Sequence, residues 1–185
     1  MSYGFKVPPR VDYTAEVVVL LTTLGVKRKE YNTSRQCMDF LDIVRCHYKV
    51  IDFNIDTGGD EFGAGSKPDL DVVRQLYQSH RVQQNDHDGL ISLPQVLIDG
   101  VNIGDNVCLQ TLEDLDFLDD ILKRNRCPQC KAKRQGEYCH ECKTLFQEIM
   151  PNRQTRDDLL RRLKKQRIPL IFDEFDDDDE DEDGN

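Results

Sequence analysis

The stretch Ser92-Leu93-Pro94-Gln95-Val96-Leu97-Ile98-Asp99-Gly100-Val101-Asn102-Ile103 reads as two short apolar strands joined by a two-residue Asp-Gly turn. Asp-Gly suits that turn because both of its positions take positive φ, which Gly adopts freely and Asp tolerates. Upstream, residues 16–21 (Glu16-Val17-Val18-Val19-Leu20-Leu21) form a short run, apolar after Glu16 and rich in β-branched side chains, as expected of a central strand buried on both faces. A basic turn at 25–30 follows. After Arg35, the residues Cys37, Phe40, Leu41 and Val44 recur at helical spacing, so a helix capped by Thr33 or Ser34 and ending near His47 is predicted.

Residues 48–56 read as a second strand and 57–67 as a Gly-rich surface loop. Pro68 suits the first turn of a helix over 69–79 with the stripe Leu70, Val73, Leu76 and Tyr77, and a polar loop over 80–89 leads into the hairpin. Beyond the hairpin, Leu112, Leu115, Leu118 and Leu122 mark one face of a last helix. The order β-α-β-α-β-β-α defines an α/β chain: crossover helices require a partly parallel sheet, and the hairpin adds an antiparallel edge. No internal repeat is evident.

This order, with a Pro opening the third strand, resembles the thioredoxin superfamily and within it the glutaredoxins, over residues 16–124. The resemblance implies a thioredoxin-like mixed sheet flanked by helices and a cis Pro94, since Ser92-Leu93-Pro94 stands at the family's T-V-P motif. It also implies a Cys at the opening of the first helix, where the dipole and nearby bases activate the thiol. Thr22-Thr23-Leu24-Gly25-Val26-Lys27 has none there, and Cys37 on the apolar stripe reads as a buried, inert thiol. The family's glutathione turn, Gly-Gly-x-Asp-Asp, corresponds to Ile103-Gly104-Asp105-Asn106-Val107-Cys108. Asp105 would repel the ligand's carboxylate, which argues against glutathione binding. Lys27, Leu93, Pro94, Gly104 and Asp105 are left as a vestigial groove.

The strongest motif is Cys127-Pro128-Gln129-Cys130, eight intervening residues, then Cys139-His140-Glu141-Cys142. Two C-x-x-C knuckles bring four thiolates within reach of one tetrahedral zinc, with 131–138 forming a hairpin around Gly136. All four positions being thiolates leaves no open coordination site, so a structural zinc is expected and His140 reads as a surface residue. Two redox dithiols are the competing reading, but neither pair opens a helix after a buried strand. A glutaredoxin-like domain without its catalytic Cys, followed by C-P-x-C and C-x-x-C knuckles, resembles the glutaredoxin domain-containing cysteine-rich family. Thr22-Thr23, Lys27-Arg28-Lys29 and Cys37 fit that pattern, while this chain carries a basic helix and acidic tail in place of a second knuckle set.

The divisions read from the sequence are an N-terminal extension (1–15), the glutaredoxin-like domain (16–124), the four-cysteine module (125–145), a C-terminal basic helix and apolar segment (146–172) and a disordered acidic tail (173–185). Of 35 acids against 25 bases, ten acids fall in 173–183, so the rest of the chain is neutral. Thr155 caps the basic helix, and Ile168, Leu170, Ile171 and Phe172 form an apolar peptide suited to docking on a protein partner. The acidic tail and the lack of aromatics among the bases disfavour nucleic acid. No stretch reaches the length of a membrane span and no secretion signal is read, which points to the cytoplasm, with cytoskeletal or nuclear association open. The functional expectation is a non-catalytic interaction and scaffold module. The alternatives are a glutathione-dependent oxidoreductase using Cys37, Cys46 or Cys108, and a nucleic-acid-binding zinc protein.

Overall fold

A computed structural model describes residues 8–23, 25, 27–53, 68–86 and 89–151, with residues 68–70 described by their backbone alone. Four strands, β1 (Val17–Leu21), β2 (Lys49–Asp52), β3 (Gln95–Ile98) and β4 (Val101–Gly104), form one sheet in the order β2-β1-β3-β4. β1 runs parallel to β2, pairing Val18 with Lys49, and antiparallel to β3, pairing Val17 with Ile98. β3 and β4 form the expected hairpin, and Asp99 (φ 46°) and Gly100 (φ 76°) take its two left-handed turn positions.

Among the described residues four helices, α1 (Arg28–Ile43), α2 (Pro68–Gln78), α3 (Asn106–Asp114) and α4 (Leu118–Leu122), complete the order. The side chains of β1 alternate between two cores, as the strand period requires. Val17, Val19 and Leu21 pack with Cys37 and Leu41 of α1, Leu109 and Leu112 of α3, and Leu118, Ile121 and Leu122 of α4. Val18 and Leu20 pack with Ile51, Leu97, Val73 and Leu76 of α2, and Met150. A mixed sheet with helices on both faces and a Leu93–Pro94 bond that is cis constitutes a thioredoxin-like fold. No described helix is long and apolar enough to cross a membrane.

Several elements differ from the sequence reading: β2 stops at Asp52 instead of running on past Phe53, and α1 ends at Ile43 rather than near His47. α1 begins at Arg28, so the expected basic turn is its first turn and Thr33 and Ser34 lie inside it: the Thr33 hydroxyl donates to the carbonyls of Lys29 and Glu30, and Ser34 is buried against β1. Two more turns were hidden because polar residues fill them. The last helix is broken into α3 and α4, with Asp116 at φ 57° and the Phe117 amide bonded back to the Leu112 carbonyl, and Leu115 is therefore exposed rather than on the apolar face. Tyr77, expected on the buried stripe of α2, is likewise exposed.

Beyond α4 the described chain carries neither helix nor strand, yet it contains a repeat that the sequence reading missed. Arg126 bridges Lys133 and Tyr138 bridges Leu145, and the bonds Lys131 N–H to Cys127 carbonyl and Cys127 N–H to Ala132 carbonyl recur as Lys143 to Cys139 and Cys139 to Thr144. Lys131 (φ 65°) and Lys143 (φ 61°) both occupy the left-handed position that closes their knuckle. The similarity escaped notice because only Cys-x-x-Cys-Lys is shared between the two copies.

Residues 146–150 then run back along the body. Phe146 and Met150 are buried, the Gln147 amide bonds to the Asp99 carbonyl at 2.9 Å, and the amides of Ile149 and Met150 donate to the Glu16 carboxylate at 2.6 and 2.9 Å. The Lys49 ammonium closes this clasp, 2.8 Å from Glu16 and 2.6 Å from the Met150 carbonyl.

Candidate functional site

The sulfurs of Cys127, Cys130, Cys139 and Cys142 all lie within 4.8 Å of one another. Cys127 and Cys142 are 3.6 Å apart and Cys130 and Cys139 are 3.4 Å apart, so each close pair joins one knuckle to the other. A tetrahedral zinc with bonds of about 2.3 Å spaces its sulfurs about 3.8 Å apart, a spacing within reach of these four sulfurs. All seven cysteines are free thiols. The four residues can therefore hold a metal ion.

The knuckle backbone prepares the sulfurs for negative charge. The amides of Gln129 and Cys130 point at Cys127, that of Ala132 at Cys130 and that of Thr144 at Cys142. The Thr144 hydroxyl, 3.1 Å from the Cys142 sulfur, together with its amide, draws that thiol down to about 6, whereas burial pushes Cys127 up to about 12. Charge on the inner sulfur thus calls for a cation beside it. Cys127 and Cys139 are buried under Val101 and Phe146, while Cys130 faces solvent. His140 is exposed, with its ring 4.8 Å from that of Tyr138, and stands apart from the four sulfurs.

The module is locked to the body through Asp99, which is 1% exposed. Its carboxylate accepts from the Glu16 amide at 2.9 Å, from two nitrogens of Arg124 at 3.0 and 2.8 Å, and from Arg134, which lies between the knuckles. Burial opposes that charge, but the two guanidinium groups and the Glu16 amide outweigh it and hold the carboxyl below its usual range. The Arg134 guanidinium also stacks on Phe146, 3.9 Å from the ring centre. Sequence reasoning saw Asp99 only as a turn residue. An acid in an Asp-Gly turn carries no sign of a partner thirty-five residues away, and Arg134 looked like one solvated base among many.

At the other end of the sheet, Leu93, Pro94, Gly104 and Asp105 line a cleft of about 320 Å³. Lys27 does not line it. Its ammonium lies 3.5 Å from Glu30 at the start of α1, and Lys29, one residue into the helix, faces the cleft in its place. The expected repulsion by Asp105 takes a specific form: its carboxylate accepts from the amides of Val107 and Cys108 at 3.0 and 3.2 Å, so the opening of α3 already has its anion. Gly104, at φ +107°, must be Gly because a Cβ would sit 2.6 Å from the Cys108 sulfur. Where a redox thiol would stand, the Thr23 hydroxyl donates to Asp52 at 2.6 Å and the Thr22 amide faces the Ser34 hydroxyl at 3.4 Å. Cys37 and Cys46 are buried and pushed up to about 12, whereas Cys108 is exposed on the cleft.

Two solved structures similar to the chain are glutaredoxins. One is a buckwheat glutaredoxin in complex with glutathione, 16% identical, covering 60% of this chain and 79% of its own, with a TM-score of 0.38. The other is the holo form of glutaredoxin C1 from Populus tremula × tremuloides, 20% identical, covering 67% of this chain and 87% of its own, with a TM-score of 0.37. No protein-family model matches the chain, and no curated protein is similar to it at a significant level. The partner-binding residues expected in the C-terminal arm, Ile168, Leu170, Ile171 and Phe172, lie outside the described residues, as do the basic helix and acidic tail.

Proposed function

We propose that this chain is a zinc-binding glutaredoxin-like protein without thiol catalysis, acting as an interaction and scaffold module for a protein partner in a larger assembly. The observation that carries the reading is the turn before α1, where Thr22 and Thr23 stand in place of a nucleophile and Thr23 is bound to Asp52. Asp105 supports it by filling the anion position at α3 with the chain's own carboxylate. Zinc is the metal assigned to the four cysteines, because a closed all-thiolate set at these spacings suits a structural zinc. The family resembled is the glutaredoxin domain-containing cysteine-rich group, and the arm with Ile168, Leu170, Ile171 and Phe172 is the part assigned to the partner. Free thiols suit a reducing compartment, hence the cytoplasm, with cytoskeletal or nuclear association open.

A second reading, glutathione-dependent thiol–disulfide exchange, has one observation in its favour: Cys108 is exposed and lines the cleft beside Pro94. An assay of glutathione-dependent reduction of a small disulfide separates the two readings. No turnover above background is expected from the wild-type chain. Turnover that vanishes in Cys108→Ser would overturn the non-catalytic reading.

A further inference from the structure

The geometry points to an oxyanion-binding site at the seam between the body and the cysteine module, taking a phosphate or carboxylate group carried by a protein partner. A cleft of about 280 Å³ opens there, lined by Asp120, Arg124, Asn125, Arg126, Lys133 and Arg134. Its walls come from three places. Asp120 lies in α4 and Arg124 just past its end, Asn125 and Arg126 lead into the first knuckle, and Lys133 and Arg134 lie between the knuckles. Main-chain bonds fix the walls together, the Arg134 amide donating to the Asn125 carbonyl at 2.8 Å and Arg126 bridging Lys133.

Each guanidinium is anchored without being saturated. Arg124 gives Nε and Nη2 to Asp99 and Glu148, Arg134 gives Nη1 to Asp99, and Arg126 gives Nε to Asp120 and Nη1 to the Lys131 carbonyl. Among the described residues, Nη1 of Arg124, Nη2 of Arg126, and Nε and Nη2 of Arg134 are left without an acceptor. A guanidinium already held in place presents its remaining N–H groups with little entropy left to lose, which suits recognition of a carboxylate or phosphate. Asp99, Asp120 and Glu148 balance three of the four cations. Lys133, exposed and without an ion pair among the described residues, supplies the uncompensated charge. Among the described residues no aromatic side chain lines the cleft, so a single-stranded nucleic acid would find no stacking surface there, and this favours an oxyanion on a protein.

The inference rests on the metal reading in one respect, that Lys133 and Arg134 are positioned by the folded knuckles. The full zinc-loaded chain should be titrated with inorganic phosphate, a phosphoserine peptide, an acidic peptide copying residues 173–183 and a single-stranded oligonucleotide, followed by backbone amide shifts, with zinc measured in every sample. Saturable shifts at Asn125, Arg126, Lys133 and Arg134 are expected with phosphate. Lys133→Glu should weaken them about tenfold with zinc content and thermal transition unchanged, and Lys133→Arg should retain them. Tighter binding of the phosphopeptide than of its unphosphorylated form identifies phosphate as the group, and preference for the acidic peptide identifies carboxylate. Absence of saturable shifts in a chain that carries its zinc, indifference to Lys133→Glu, or an oligonucleotide that outcompetes both peptides would each overturn the proposal, the first leaving the metal reading intact.

Discussion

Replacing Asp99 by Asn keeps the shape of the hairpin turn and removes the charge that Arg124 and Arg134 face. Breaking a buried, hydrogen-bonded ion pair leaves its partners uncompensated, so Asp99→Asn should destabilise the chain by roughly 3 kcal/mol in chemical denaturation. The acid is held ionised below the usual range, so its contribution is complete above about pH 4 and is lost as the pH falls through its depressed value. The wild-type chain should therefore lose stability faster than Asp99→Asn on acidification, and parallel acid limbs would show that the pair contributes nothing. Beside it, a Cβ on Gly100 would meet the Gln147 carbonyl at 2.5 Å and the Arg81 guanidinium at 2.9 Å, at a φ of +76° that disfavours side chains. Gly100→Ala should cost more than the roughly 1 kcal/mol typical of strained backbone, because a backbone atom rather than a flexible side chain must move. Increased hydrogen exchange at Gln147, Ile149 and Met150 would locate the damage.

The cysteine module is built from two copies of one knuckle, and its four sulfurs, which can hold a metal ion, rest on a buried Phe146. Phe146 is buried against Val101, Cys127 and Cys139 and is covered by Arg134, so Phe146→Ala should cost roughly 3 kcal/mol and weaken metal retention against a chelator. Removing the metal should expose amides 126–145 to exchange and, through Arg134 and Phe146, also loosen the clasp at Glu16 and Asp99. Protection unchanged at Gln147 and Met150 after chelation would show that the module and body are uncoupled. At this scale the sequence was read well where side-chain chemistry enforces the structure: the all-apolar β1, the Asp-Gly hairpin and the Cys spacing each admit few alternatives. It was read poorly where hydrogen bonds decide, as in the polar first turns of α1, the break at Asp116 between α3 and α4, and the repeat that only backbone bonding reveals.

Across the molecule, the clasp of Glu16, Lys49 and Met150 ties the last described residues to the body. A chain truncated after Pro151 should keep its thermal transition and lose its partner, whereas one truncated after Leu145 should also lose several degrees, since Phe146 and Met150 leave their cores. Full partner recovery by the shorter folded chain would move the interaction from the arm to the body. That residues 22–27 carry no Cys could be read from the sequence, because an absence at a defined turn is visible residue by residue. The lock between body and module could not, because Asp99, Arg124 and Arg134 are far apart in the chain and each has an ordinary local explanation. Four thiols are gathered where they can hold one metal ion. Elemental analysis of freshly purified, reduced full-length protein should give one zinc per chain, falling well below that in Cys127→Ser and Cys142→Ser. Wild-type protein that is folded yet holds no zinc, or variants that hold as much as wild type, would contradict it.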